Sequence, residues 1–256
     1  MLWGRYASRA SEARYPQLWQ GRVFGVCPSV QGPAGVNLYD TTGGGKHGTL
    51  VNMSAASDWL RSAGQYALNF AGTRRVSTSR PLISGTQGFT LSAWVYPTGT
   101  TTYRTVCGNY GVGNTTGVQI TIWPAAGSVP ANAPTLYYGV TAISATTGAT
   151  ANQWNHVAAT RSGNAVTIFL NGVQVGSGTN SASVGAAQNW AIGQGPDNTS
   201  EPMIGHIDDH AVYNRVLTAG EIRLLATRRG IAYEARRDIV FGTSGNRRRR
   251  MLTGMV

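Results

Sequence analysis

Residues 165–176 read AVTIFLNGVQVG. Val166, Ile168 and Leu170 alternate with Ala165, Thr167 and Phe169, which is the period of a strand with one face toward a core. Asn171-Gly172 then offers two residues that accept positive φ, as a two-residue type I′ turn demands. Val173 and Val175 resume the alternation on the far side. The stretch predicts a β-hairpin, and the rest of the chain is read outward from it.

The same alternation recurs upstream. In FTLSAWVY (89–96), Phe89, Leu91, Ala93 and Val95 fall on one face and Thr90, Ser92, Trp94 and Tyr96 on the other, before Pro97 and Gly99 end the run. VQITIW (118–123) and TLYYGVTAI (135–143) repeat the pattern, and further strands are expected at 66–70, 154–160, 190–193 and 204–213. The stretches 124–134 and 144–151, low in complexity, read as loops on a rim. One helix is signalled. Thr218 with Glu221 three residues later forms a capping box, and Ile222, Leu225 and Ala226 make a short apolar stripe, predicting a helix over 219–229. Many short strands and one late helix predict an all-β fold: an antiparallel β-sandwich of jelly-roll type.

Composition agrees. Charged residues are 12% of the 256, about half the usual share, and 34 glycines mark many turns. Both argue against a coiled coil or helical bundle. The net charge of +11 on its own suggests a nucleic-acid partner, so its distribution matters. Residues 1–88 hold nine Lys or Arg against Glu12, Asp40 and Asp58. Residues 89–214 hold only Arg104 and Arg161 against Asp197, Glu201, Asp208 and Asp209. Residues 215–256 hold ten Arg against Glu221, Glu234 and Asp238. The middle is slightly acidic and the basicity lies at the ends. The expected organisation is an N-terminal arm (1–21), a sandwich (22–229) and a basic C-terminal arm (230–256).

No run of ~18 apolar residues occurs, so no membrane-spanning helix is expected. The opening MLWGRYASRASEARYPQLW has no apolar stretch of signal-peptide length, so export by the general route is not expected. Cys27 and Cys107 are therefore read as two buried, reduced thiols. His47, His156, His206 and His210 show no zinc spacing.

Several blocks together carry a family likeness. GFTLSAWVYP (88–97), NQWNHVAATRSGNAVTIFLNGVQV (152–175) and IGHIDDHAVYNRVLTAGEI (204–222) resemble the core strand, central strand with hairpin, and closing strand with helix of concanavalin A-like, laminin-G-like jelly rolls. LYDTTGGGKHGTLVNM (38–53) and YALNFAGTRRV (66–76) resemble their entry strands. The likeness spans about residues 22–227. It implies the fold, with Trp94 and Trp154 as framework residues, and leaves function open, because this fold hosts lectins, adhesion modules, enzyme appendages and virion proteins. Asp208 and Asp209 match the family's paired acids and are the candidate calcium ligands. Ala71 and Arg74-Arg75 stand where relatives often have acids, which weakens such a site; the competing reading has these aspartates bonding loop backbone.

The glucanases of this superfamily place two carboxylates on alternate residues of one strand. This chain has four glutamates (Glu12, Glu201, Glu221 and Glu234) and no Glu-x-Asp-x-Glu pattern. Asp208 and Asp209 are adjacent and so would point to opposite faces of a strand. A non-enzymatic function is expected. Lectin sites stack sugar rings on exposed aromatics and bond hydroxyls through Asn, Asp and backbone groups. Trp94, Tyr96, Trp123, Tyr137 and Phe169 fall on polar strand faces, and Tyr103, Tyr110 and Asn114 lie in or beside a Gly-rich loop. The candidate carbohydrate site is Trp123, Tyr137, Tyr110 and Asn114.

The tail carries Arg247, Arg248, Arg249 and Arg250 followed by Met251, Leu252 and Met255, and the N-terminal segment spaces Trp3, Tyr6, Tyr15, Leu18 and Trp19 among Arg5, Arg9 and Arg14. Few aromatics interleave with the tail arginines, so no base-stacking platform is indicated. Trp3, Trp19 and the four arginines are read as docking arms for an acidic or apolar protein surface. A laminin-G-like sandwich with such ends and no export signal resembles sandwich proteins of bacteriophage structural genes. That resemblance implies a virion protein (capsid decoration, or fibre- or tail-associated) assembled in the host cytoplasm and displayed on the virion surface in many copies. Its partners would be capsid or tail subunits, and glycans. The alternative is a bacterial carbohydrate-binding or adhesion module.

Overall fold

The computed structural model describes residues 6–99, 101–110, 116–139, 141–185, 188–195 and 201–236. Alternation of apolar and polar residues builds two packed antiparallel sheets. The first contains β1 (Arg22–Val26), β4 (Trp59–Ser62), β5 (Gln65–Phe70), β7 (Phe89–Pro97), β12 (Asn155–Ser162), β13 (Ala165–Leu170), β14 (Val173–Thr179) and β16 (Gly205–Tyr213). Their order is β14-β13-β12-β7-β16-β5-β4, with β1 pairing the C-terminal half of β16. The second contains β2 (Asn37–Leu38), β3 (Gly48–Val51), β6 (Arg75–Thr78), β8 (Arg104–Gly108), β9 (Val118–Trp123), β10 (Ala133–Tyr138), β11 (Thr141–Ser144) and β15 (Ala191–Ile192). Their order is β11-β10-β9-β8-β15-β6-β3-β2. Neighbours in sequence are often not neighbours in the sheet, as in a jelly roll. The inward phases meet in the main core, where Leu91, Ala93, Val95, Val157, Ala159, Val166 and Ile168 face Val106, Ile120, Ile122, Leu136 and Tyr138.

The hairpin forms as read: Asn171 and Gly172 have φ of 50° and 80° and join β13 to β14. The stretch 135–143 is not one strand. The chain reverses after Gly139 (φ 62°) and pairs β10 with β11. The capping box closes on both sides: Thr218 Oγ1 accepts from the Glu221 amide at 3.2 Å and the Glu221 carboxylate accepts from the Thr218 amide at 2.8 Å. After the single turn α1 (Pro28–Gln31), the helix α2 (Ala219–Leu225) nonetheless ends four residues short of the expected 229. Its next turn opens to Gly230 in the left-handed region, which brings Arg229 and the Gly230 amide back onto the aspartate pair.

The outer face of the first sheet is covered. A second apolar cluster, including Leu18, Val30, Ala158, Phe169, Tyr213, Leu217, Ile222, Leu225 and Tyr233, packs α2 and the described parts of the chain ends, 6–21 and 230–236, over it. Residues 6–21, expected as an arm, therefore belong to the sandwich. The Ala7 amide donates to the Tyr233 carbonyl at 2.8 Å, the Arg14 amide to Glu234 and the Arg236 amide to Glu12, both at 2.7 Å. Leu18 is fully buried. The physical reason is that the spaced aromatics of this segment find their apolar partner in their own chain. Trp19 donates its indole N–H to the Ala232 carbonyl at 2.7 Å and meets Tyr233 edge-on at 5.6 Å, so it docks on its own chain. Trp3, Arg247, Arg248, Arg249 and Arg250 lie outside the described residues. Trp94 is a framework residue beneath α2, donating to the Leu225 carbonyl at 3.3 Å.

Candidate functional site

The second sheet keeps part of its outer face open. In β9 the core takes Val118, Ile120 and Ile122, so Gln119, Thr121 and Trp123 point outward. Gln119 stands directly across from Tyr137 of β10. Tyr103 precedes β8, Tyr110 follows it, and Glu201 arrives from the segment before β16. These six residues line one cleft of about 250 Å³. Tyr103 and Trp123 form an edge-to-face pair at 5.1 Å, and Tyr110 and Tyr137 another at 4.7 Å. Glu201 is fixed in the left-handed region (φ 55°), with its carbonyl accepting the Thr105 amide at 2.8 Å. Gln119 donates its side-chain amide to the Glu201 carboxylate at 3.4 Å. Burial pushes the Glu201 carboxyl above its usual range, against the pull of that hydrogen bond. Tyr110 is pushed up to about 12, first by burial and then by Tyr137 and Glu201, so it is a neutral hydroxyl at working pH.

Three of the four candidate carbohydrate-site residues, Trp123, Tyr137 and Tyr110, thus meet in one cleft, with Tyr103 beside them. Asn114 lies outside the described residues. Gln119 and Glu201 complete the lining and lie outside the sequence expectation. Gln119 shares the outward phase of Trp123, and that parity was a usable signal. For Glu201 no local signal exists, because a long-range backbone bond places it. The other outward aromatics belong to the covered sheet: Trp94 and Phe169 are buried, and Tyr96 is half-buried against Trp154 and His206.

Asp208 and Asp209 sit elsewhere, under the chain ends. A bulge falls between Asp208 and Ala211, and Asp209 takes φ 46°. The expectation of opposite faces fails for that reason: both carboxylates turn to the same side. Asp208 accepts the Ser29 amide at 3.1 Å and the Arg229 guanidinium at 3.3 Å. Asp209 accepts the Gly230 amide at 2.8 Å and lies 4.0 Å from Arg22. Burial, then the neighbouring Asp209, raises Asp208 to about 7; burial raises Asp209 too. Calcium wants six to eight oxygens. This pair instead faces two arginines and backbone N–H groups, so the donor set does not fit a dication, and no metal step is derived from it. Cys27 lies at 3.8 Å from Asp208, its thiol raised well above the usual range by burial; Cys107 is buried in the other sheet.

The profile of the Concanavalin A-like lectin/glucanases superfamily matches residues 70–223, more than half of the sequence. The chain belongs to this superfamily. Comparison with curated proteins found no match. Among solved structures, domain 4 of the extracellular arabinanase AbnA from Geobacillus stearothermophilus, in complex with arabinotriose, is similar at 22% identity and TM-score 0.62, over 80% of this chain and 98% of that one. The binding domain of Paraclostridial Mosquitocidal Protein 1 is similar at 15% identity and TM-score 0.59, over 82% of this chain and 52% of that one. A structure of botulinum neurotoxin type C, whose cell entry depends on two ganglioside molecules, is similar at 12% identity and TM-score 0.59, over 82% and 51%. These likenesses show the fold, and the chain spans about half the length of the two toxin structures.

Glycoside hydrolysis uses two carboxylates flanking the scissile bond. Among the described residues, the cleft lining contains one, Glu201.

Proposed function

We propose that this chain is a non-catalytic, glycan-binding jelly roll whose sugar site is the cleft of Tyr103, Tyr110, Gln119, Trp123, Tyr137 and Glu201. The convergence of four rings around one amide and one carboxyl carries this reading. Ring faces suit the apolar face of a pyranose, and the amide and carboxyl suit its hydroxyls. The relation to an arabinanase domain solved with arabinotriose and to a ganglioside-dependent toxin supports it. A site this small holds its ligand weakly, and display in many copies would supply avidity.

The setting we propose is a virion surface, where the chain joins capsid or tail subunits after assembly in the host cytoplasm and presents the cleft to glycans. The basic-apolar tail from Arg247 to Leu252 supports this reading. A bacterial carbohydrate-binding module is the second reading, favoured by the likeness to the arabinanase domain.

The test is a glycan array followed by calorimetry on the best ligand, with Trp123→Ala and Tyr137→Ala. Each ring should act as a hot spot worth roughly 2 kcal/mol, about 30-fold in Kd. Binding that survives both substitutions would place the sugar elsewhere. Removing residues 237–256 should abolish incorporation into particles; normal incorporation would defeat the anchoring role.

A further inference from the structure

Glu201 has an unusual position for a sugar contact. It is half-buried, and among the described residues its one side-chain hydrogen-bond partner is the neutral Gln119 at 3.4 Å. Among the described residues no arginine or lysine pairs with it, although Arg104 stands in the adjoining strand: that guanidinium is turned away, onto the carbonyls of Thr98 and Gly99 and the side chain of Asn132. A ligand that fills the cleft removes the remaining water from Glu201. Sealing a carboxylate without a counter-charge is costly. The rings beside it are the four cleft aromatics, and aromatic faces attract cations within about 6 Å of their centroids. At about 250 Å³, the cleft is below the roughly 300–1,000 Å³ that buries a drug-sized ligand, so it accepts one ring or head group.

We infer that the cleft selects a cationic sugar: a residue bearing a free, protonated amino group, held by cation–π contact with the cleft rings and by an ion pair to Glu201. The inference rests on the glycan-binding reading and narrows it. The ammonium supplies the counter-charge that the fold withholds from Glu201, and the sugar hydroxyls are left to Gln119 and Tyr110. The same arithmetic disfavours sialic and uronic acids, which would bring a second negative charge to a desolvated carboxyl. N-acetylation removes the cation and with it the counter-charge for Glu201.

The experiment uses the full chain, titrated calorimetrically with a glucosamine tetrasaccharide, with its fully N-acetylated counterpart and with choline chloride. Glu201→Gln runs in parallel, since it keeps the shape and the bond from Gln119. The amino form should bind the wild type at least tenfold more tightly than the acetylated form, and Glu201→Gln should erase that preference. Equal binding of the two tetrasaccharides, or a preference that persists in Glu201→Gln, overturns the inference and leaves the glycan reading standing. Choline binding that depends on Glu201, with neither sugar bound, upholds a cation site at Glu201 but overturns the inference that an amino sugar carries the cation. No binding of any of the three overturns the inference, and the glycan array then decides the glycan reading by itself.

Discussion

Replacing Arg229 with methionine removes one arm of the charged knot beneath the chain ends. The Arg229 and Asp208 side chains are 4% and 0% exposed, with a guanidinium–carboxylate distance of 3.3 Å. Solvent screening therefore offers little relief, and breaking such a pair from one side costs roughly 3–5 kcal/mol. The loss should depend on pH in a definite direction. Asp208 titrates near 7 in the fold, against 3.8 for the free group, with Arg229 pulling it down. Without Arg229 the folded value rises further, by about 1.4 kcal/mol of lost stability per unit at alkaline pH. A carboxyl raised in the fold favours the folded state while it stays protonated. That contribution is complete below the unfolded value and disappears as pH climbs through the folded one. Arg229→Met should thus be most damaging at pH 8.5 and recover most of its loss at pH 5. The residual loss is the bond to the Ser62 carbonyl and the contact over Trp154 at 4.1 Å. Urea unfolding followed by tryptophan fluorescence at the two pH values measures it. Asp208→Asn in the same chain should rescue the alkaline loss. A loss below about 1 kcal/mol, or one equal at both pH values, would refute a working ion pair.

Burial lowers His156 to about 3 and His210 to about 4. A histidine depressed in the fold stabilises above its unfolded value of 6.5 and loses that contribution as pH falls toward the folded value. His156→Gln should therefore gain on the wild type by about 1.4 kcal/mol per pH unit from 6.5 toward 4, and a parallel pH profile of the two proteins would contradict it. Leu18→Ala should cost about 2–5 kcal/mol in a thermal or urea melt, because Leu18 is fully buried beneath the sheet's cover; an unchanged melt would mean that residues 6–21 are detached in solution.

The elements legible in the sequence are those decided by neighbours a few residues apart. Alternation in FTLSAWVY and VQITIW, the Asn171-Gly172 turn and the Thr218–Glu221 box each need only local rules, and each forms in place. What escaped depends on contacts distant in sequence. Trp94, Phe169, Trp123 and Tyr137 all carry the same outward phase. Nothing local says that α2 and the chain ends cover the first two while the second pair stays open. The Asp208–Asp209 bulge is likewise unreadable, because the partners of the pair come from segments distant in sequence: Ser29 at Asp208, Gly230 and Arg22 at Asp209. Glu201 fits no carboxylate pattern in the sequence, yet its backbone bond from Thr105 places it at the cleft.

Charge shows the same limit in another form. A sequence count treats all 21 basic residues alike, yet Arg22, Arg104, Arg161 and Arg229 are buried. Arg161 donates to the carbonyls of Gly85, Gly163 and Ala182, and Arg104 ties the Gly99 turn to Asn132. These arginines are long donors that satisfy loop carbonyls the sheets leave over. Arg14, Arg215 and Arg228 are paired with Glu234 or Glu221 at the clasp of the chain ends, and Arg74 with Asp58. Phosphate binding needs accessible cations that can displace counterions, and the sandwich uses much of its positive charge internally. The basicity that first suggests a nucleic acid is, in this part of the chain, largely a way of holding loops to sheets.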